Sequence, residues 1–182
     1  MADELLDIVN NEDIVSGQEM RSTVHQLGLQ HRGVHVFLFT RDGKMLIQKR
    51  SADRAASPSG LDCSVSEHVK AGESYLDAAL RGMKEEMGVT GIEIHPLVTF
   101  RMNYGLNDNE ISRLYKGIVE PEKVRFDPVE IAEIGYFSID ELQAMMNTEK
   151  IKFCGWFVQI LNWYLGNPST MVVLEEHTAS GE

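Results

Sequence analysis

The segment from Ser66 to Val89, SEHVKAGESYLDAALRGMKEEMGV, constrains the fold more than any other part of the chain. Its apolar residues recur at the spacing of one helix face, at Leu76, Ala79, Leu80, Met83 and Met87. Ser74 is a good N-cap with Asp77 three residues later, and Gly88 suits the residue after a helix. The segment therefore predicts a loop followed by a helix from Ser74 to Met87.

The acidic residues of this helix point to a metal site. At helical spacing Gly82, Glu85 and Glu86 share a surface opposite the apolar stripe, so both glutamates are predicted to face away from the core. A plain solvated acidic face is the alternative, because adjacent carboxylates repel and are costly to bury. However, Arg81 lies four residues before Glu85 and can fix its rotamer. Fixed carboxylates beside a loop suit oxygen-seeking cations such as Mg²⁺ or Mn²⁺.

The remaining pattern predicts an α+β fold with a mixed sheet. Gly33 to Thr40 and Met45 to Gln48 flank an Asp-Gly turn and form a predicted hairpin. A small N-terminal hairpin is predicted from Leu5 to Val15. Further predicted strands and helices are strands at 61–65, 92–98, 100–104, 113–119 and 134–137, a capped helix starting at Ser138, a helix at 153–165, and a short strand after Pro168.

Composition narrows the classes of function. A length of 182 residues indicates one domain. The formal net charge of -11 argues against a nucleic-acid polymer as partner. The start of the chain is acidic, without the pattern of a secretory signal, and no apolar run is long enough to span a membrane, so a cytoplasmic protein is expected. Cys63 and Cys154 lack the spacing of a disulfide framework or zinc site and are expected to be reduced and packed inside.

The helix and its loop resemble the Nudix box, G-x5-E-x7-R-E-U-x-E-E-x-G-U, where U is a bulky aliphatic residue. The matching residues are Glu73, Arg81, Met83, Glu85, Glu86, Gly88 and Val89. The resemblance covers about 32–165 and implies an α/β/α sandwich with a loop-helix-loop metal site. It also implies a Mg²⁺- or Mn²⁺-dependent hydrolase acting on a small-molecule diphosphate substrate. Residues 1–31 are expected to lead into this domain at 32–166, residues 167–182 to form a tail, and a homodimer is possible.

The resemblance assigns expected roles to residues of this chain. Glu85, Glu86, Glu67 and Glu110 are the catalytic candidates. The metal candidates are Glu86, Glu85, Ser66, His68 and Glu110, and the box residues with structural roles are Glu73, Arg81 and Gly88. Lys49 and Arg50, at the end of a predicted strand, are candidates for binding substrate phosphates, with an ordinary solvated strand end as the alternative.

Two box positions depart from the pattern. Glu67 stands where the pattern has its leading glycine, and Gly82 stands where it has the glutamate after the arginine. In the family, that glutamate lies on the metal-facing surface of the helix. Glycine inside a helix costs about 0.5–1 kcal/mol relative to alanine, so its presence needs a reason. One hypothesis is that Glu67 returns a carboxylate to the space that Gly82 leaves open. The alternative is that metal binding is weakened.

A second resemblance concerns the residues before the box. Ser64-Val65-Ser66-Glu67-His68 is similar to the S-V-C-G-H motif of isopentenyl diphosphate isomerases, which share the Nudix fold. His68 and His31 match metal-binding histidines of that group, and His25 is one residue out of register with a third. Asp108-Asn109-Glu110 resembles its E-x-E motif, which supplies metal ligands and an acid.

Some residues count against an isomerase or have ordinary alternatives. Ser66 stands where the isomerase needs cysteine, and Cys63 is predicted to point elsewhere, since odd offsets along a strand change faces. Trp156 resembles the aromatic residue that covers the isoprenoid cation, but its helical neighbours make a core position the expected one. His35 is expected to be a packing residue. Three functions therefore stay open, namely hydrolase, isomerase and catalytically weak diphosphate-binding module.

Overall fold

The computed structural model describes residues 3–148 and 150–178, which contain ten strands, four α-helices and a short 3₁₀ helix at Pro121–Lys123. The strands are β1 Leu5–Val9, β2 Val15–Met20, β3 His31–Phe39, β4 Met45–Arg50, β5 Leu61–Asp62, β6 Val65–His68, β7 Ile94–Gly105, β8 Asp108–Ile118, β9 Ile131–Phe137 and β10 Val172–Glu176. The helices are α1 Arg21–Leu27, α2 Tyr75–Met87, α3 Ile139–Met146 and α4 Gly155–Tyr164.

All ten strands of the described chain join one mixed sheet. Its main path runs β10-β7-β8-β3-β1-β2, in which β3 and β8 are parallel and β7 and β8 are antiparallel. Strand β6 pairs antiparallel with β3, and β4 links β3 to β5 and β9. The predicted N-terminal hairpin is present as β1 and β2, and β10 pairs with β7. The division of the chain into domains at residues 31 and 166 stays a prediction.

Helices cover both faces of the sheet, which confirms the predicted α+β sandwich. On β3 the side chains of Val34, Val36 and Leu38 belong to one buried cluster, together with residues of α2. Phe37 and Phe39 point the other way and belong to a second cluster with residues of α4. Because successive strand residues alternate faces, this single strand separates the two core layers.

Helix α2 begins and ends where the sequence predicts. The Ser74 side chain accepts a hydrogen bond from Asp77 N at 3.1 Å, and Gly88 adopts the left-handed conformation at φ 64°. A Cβ on Gly88 would also lie 2.6 Å from Arg125 O, so this box glycine allows both the turn and a close backbone approach.

The predicted orientation of α2 is wrong in part. Leu76 and Leu80 are 44% and 40% exposed, whereas Gly82 and Glu86 are buried against β6. The buried face therefore runs through residues 75, 78, 79, 82, 83, 86 and 87. The spacing of the leucines predicts the wrong face, because small residues and one buried carboxylate occupy part of the true interface. Glu85 does face outward, with 53% of its side chain exposed.

Three other segments differ from expectation. Strand β7 is continuous where two strands are predicted, and residues 106 and 107 form a tight turn into β8 in place of a long loop. Helix α1 was not predicted, because only Val24 of its residues is buried and no apolar stripe marks it. Among the described residues, no helix is long and apolar enough to cross a membrane.

Candidate active site

A cleft of about 600 Å³ gathers polar side chains from elements far apart in the sequence. Its walls come from the N-terminal segment, α1, β3, β4 and the following loop, β6, α2, β7, β8 and α4. Of the predicted site residues, those that line it are Arg50, Ser66, Glu67, His68, Glu85 and Glu110. The sheet thus brings the box and the histidines to one place.

Arg81 holds together the carboxylates at one end of the cleft. It binds Glu73 through two hydrogen bonds, Nε to Oε1 at 2.9 Å and Nη2 to Oε2 at 3.1 Å. Its Nη1 lies 3.2 Å from Glu85 Oε2 and 3.3 Å from Glu67 Oε2, and its Nη2 donates to His68 O at 2.7 Å. Glu73 also accepts from Lys70 N, so it braces both the loop and the arginine. One guanidinium therefore positions the loop, β6 and Glu85.

Glu86 is the buried member of the acidic group. Only 5% of it is exposed, and it accepts hydrogen bonds from Gln48 Nε2 at 2.6 Å and Ser66 N at 3.2 Å. Burial, and next the negative charge of Glu67, raise the pKa of the Glu86 carboxyl well above its usual range. The expectation that Glu86 faces solvent is wrong, because β6 and β4 close over this face of α2. Its carboxylate lies beneath Ser66 and Glu67.

Three histidines form a second cluster in the same cleft. Ring centroids of His25, His31 and His68 are 5.1–5.4 Å apart. One ligand atom from each lies within 4.8 Å of the others, and the same holds for His31, Asp108 and Glu110. His25 reaches the cluster despite its offset in sequence, because α1 and the left-handed turn at Gly28 bring it there. The structure therefore brings together the three histidines, Asp108 and Glu110, which are the five residues that resemble the metal-binding set of the isomerases.

The donor atoms of this cluster fit a metal ion. Within the described chain, His25 Nε2, His31 Nε2 and Asp108 Oδ1 are buried without a hydrogen-bond partner. Burial lowers the pKa of His68 to about 3, so its imidazole is neutral and can offer a lone pair. Burial opposes ionisation of Glu110, but contact with His31 and the charges of the neighbouring histidines lower its pKa. Mixed imidazole and carboxylate donors suit Mn²⁺ and related divalent metals.

Arginines provide positive charge along the cleft. Arg21, Arg50 and Arg54 all line it, and Arg21 Nε is buried without a hydrogen-bond partner in the residues described. Arg50 is held 3.4 Å from Asp62 Oδ2, and Arg54 lies 2.9 Å from Glu130 Oε1. These guanidinium groups are suited to bind phosphate oxygens.

Lys49 was also predicted to bind substrate, and its position argues against this. It lines a separate cavity of about 410 Å³ together with Ile47 and Glu133. Its neighbours Gln48 and Arg50 lie on the cleft side of β4, and alternate residues of a strand point to opposite faces. Lys49 therefore lies outside the candidate site.

The floor of the cleft is a hydrogen-bonded row that includes Ser66. Its Oγ lies 3.0 Å from His35 Nδ1, and His35 Nε2 lies 3.0 Å from Tyr104 OH. His35 is thus buried between two polar partners and is not a simple packing residue. Ser66 touches Glu86 through its backbone and His35 through its hydroxyl.

Two expectations about the same floor need correction. Cys63 Sγ lies 3.2 Å from Ser66 Oγ, so it does not point elsewhere. The extended strand structure is interrupted at residues 63 and 64, between β5 and β6, so the alternation of faces along a strand does not apply across these two residues. Trp156 lines the cleft, where its Nε1 donates to both oxygens of Asp62 at 2.9 and 3.0 Å. The Trp156 ring also packs against the second core cluster, so it contributes to both the core and the wall of the cleft.

Sequence reasoning missed several residues of this site. Gln48 and Asp62 are buried polar residues on short strands, and no local pattern in the sequence marks them as site residues. Arg21 lies four residues before His25, one helical turn away, but α1 itself was not recognised.

Comparisons with known proteins agree with this geometry. A family model described as NUDIX domain matches residues 29–157. An uncharacterized Nudix hydrolase of Streptomyces coelicolor is 41% identical over 103 residues, 57% of this chain and 56% of that protein. An isopentenyl-diphosphate Delta-isomerase of Serratia proteamaculans is 30% identical over 163 residues, 87% of this chain and 90% of that protein. The crystal structure of a Deinococcus radiodurans protein matches with a TM-score of 0.75 and 25% identity, over 88% of this chain and 98% of that one.

The coverage differs between these relatives. This chain spans little more than half of the Streptomyces coelicolor protein but most of the isomerase.

Proposed function

The chain belongs to the NUDIX family, in a branch that also resembles isopentenyl diphosphate isomerases, and from this membership we propose a hydrolase dependent on Mg²⁺ or Mn²⁺. It would cleave a diphosphate linkage in a small nucleotide or another phosphorylated metabolite. The observation that carries the proposal is the juxtaposition, in one cleft, of Glu67 and Glu85 with the guanidinium groups of Arg21, Arg50 and Arg54. Carboxylates for a cation beside guanidinium groups for phosphates are the complement of a metal diphosphate.

Four residues of the box would have a part in this reaction. Glu85 and Glu86 would hold the cation, and Arg81 would orient Glu85 while Glu73 braces the arginine. When bound, the cation neutralises phosphate charge and activates water. Glu67, Glu85 or Glu110 would accept the proton of the attacking water, since all three carboxylates line the cleft.

The test is a turnover assay with matched variants. The protein is incubated with Mg²⁺ or Mn²⁺ and a panel of nucleoside diphosphate derivatives, and release of phosphate or nucleotide is measured. Glu86→Gln should abolish the release, while Glu93→Gln should leave it unchanged, because the Glu93 side chain is 85% exposed and outside the cleft. Binding of these compounds without turnover would contradict the hydrolase and favour a diphosphate-binding module.

A second function is favoured by the histidine cluster. The assembly of His25, His31 and His68 with Asp108 and Glu110 supports an isopentenyl diphosphate isomerase-like enzyme, as does the isomerase relative matched along most of this chain. Ser66 counts against it, and the nearby Cys63 thiol is fully buried, with burial raising its pKa. Isopentenyl diphosphate is therefore included in the panel, with double-bond migration followed by NMR. Migration by the wild-type chain would support this function, and its appearance only in Ser66→Cys would assign the block to residue 66.

A further inference from the structure

The missing carboxylate of the box has a replacement on the neighbouring strand. We propose that Glu67 of β6 supplies the metal-binding carboxylate that Gly82 removes from α2, so that the cation is shared between a strand and a helix. This inference rests on the metal dependence proposed above. One ligand of the site would then lie on strand β6, which packs against helix α2.

The two residues compete for the same space. A Cβ on Gly82 would lie 2.7 Å from Glu67 Cγ and 2.7 Å from Val65 Cγ1, closer than folded proteins allow. The space that a side chain at 82 would occupy is therefore filled by the stem of Glu67. Glycine inside a helix is unfavourable by roughly 1 kcal/mol relative to alanine. The close approach of β6 gives a physical reason for it here.

Glu67 also lies beside the carboxylates of the box, around the same arginine. Its side chain is 17% exposed, lines the cleft and contacts Arg81 at 3.3 Å. Arg81 hydrogen-bonds Glu73 and Glu85 as well, so one positive charge serves three carboxylates. A divalent cation between these carboxylates would relieve their mutual repulsion.

A structural role alone is the competing explanation, in which Glu67 serves only as a partner of Arg81. Glu67→Gln separates the two, because glutamine keeps the stem over Gly82 and can still accept a hydrogen bond from the arginine. A structural role predicts unchanged metal affinity in this variant. A ligand role predicts a loss comparable to that of Glu86→Gln.

The experiment is calorimetric titration with Mg²⁺, which prefers carboxylate oxygen and so reports the box more than the histidines. Glu67→Gln and Glu86→Gln should each weaken Mg²⁺ binding by about tenfold or more, because affinity follows the number of charged ligands. Glu93→Gln should bind as the wild type does. Gly82→Glu alone should not improve binding, since the side chains of Glu67 and Val65 already occupy the space that its own side chain would need.

The outcomes separate this inference from the proposed function. Wild-type affinity in Glu67→Gln, with binding lost in Glu86→Gln, would overturn the role of Glu67 and leave the hydrolase intact. Absence of Mg²⁺ and Mn²⁺ binding in the wild-type chain would overturn both. Circular dichroism reports whether each variant folds, and the comparison of Glu67→Gln with Glu86→Gln decides between the two roles.

Discussion

Single residues of β3 decide the geometry of the histidine cluster. Gly33 lies opposite Ser112 on the neighbouring parallel strand, and a Cβ on it would overlap Glu110 Oε2 and lie 2.9 Å from Ser112 Oγ. The absent side chain therefore makes room for a carboxylate close to His31 and His68. A glycine in a strand interior commonly marks such an approach.

We expect Gly33→Ala to displace the Glu110 carboxylate and to weaken Mn²⁺ binding at the cluster. Misplacing a group that orients a metal site typically costs about tenfold to a hundredfold in affinity. Electron paramagnetic resonance of free Mn²⁺ measures the change. Gly17→Ala is the matched control, because a Cβ there meets nothing within 4 Å. Equal affinity in the two variants would contradict the packing argument.

The positive charge of Arg54, which lines the cleft, is also set by a single residue. Arg54 is paired with Glu130, and its side chain is 22% exposed. Arg54→Gln should raise KM for the diphosphate substrate by roughly tenfold to a hundredfold, since a hydrogen bond to a charged group contributes about 1.5–3 kcal/mol. The value of kcat should change little.

Lys49→Gln provides the comparison for Arg54→Gln in steady-state kinetics. Lys49 lies on the other face of β4 and should leave KM unchanged. An increase in KM for Lys49→Gln, without one for Arg54→Gln, would place the phosphates elsewhere.

At the scale of elements, helix α2 was the most predictable part of the chain. Ser74 and Gly88 carry local hydrogen-bonding and backbone signals that act within a few residues, so both helix ends agree with the sequence. The buried face was harder to predict, because the position of β6 depends on long-range pairing with β3. The same reason hides Glu86, whose burial is set by β4 and β6 and not by its own helix.

The N-cap of α2 has a measurable energetic weight. Ser74→Ala removes the hydrogen bond to Asp77 N and should lower the free energy of unfolding by about 1 kcal/mol. Urea denaturation measures this loss. Ser138→Ala in α3 should cost a similar amount, because Ser138 accepts the equivalent bond from Glu141 N. A neutral effect of Ser74→Ala would mean that tertiary packing alone holds the start of the helix.

The whole molecule explains why the candidate site was only partly visible in sequence. The box is a contiguous segment and was recognised by its spacing, whereas the histidine cluster joins α1, β3, β6 and β8 across some 85 residues, from His25 to Glu110. Arg21 lies on α1 and Asp62 on β5, and neither element carries a local sequence pattern that indicates function. Such residues meet only after the sheet has formed.

The assembly of the cluster also predicts how a metal ion would act on the fold as a whole. Helix α1 is short and buries little apolar surface, since Val24 is its buried residue and Leu27 is 63% exposed. A ligand that binds only the folded state stabilises it by about 2.7 kcal/mol at one hundred times its dissociation constant. Because His25 belongs to α1, Mn²⁺ should tie this helix to β3 and β6.

Hydrogen exchange of the backbone amides tests this coupling. Saturating Mn²⁺ should slow exchange in α1 by up to about a hundredfold, since local opening must then release the ion. His25→Ala should remove this protection, while His95→Ala, at an exposed position of β7, should retain it. If Mn²⁺ protects β3 and β6 but leaves α1 unchanged in the wild-type chain, the ion is held without His25 and the helix does not belong to the site.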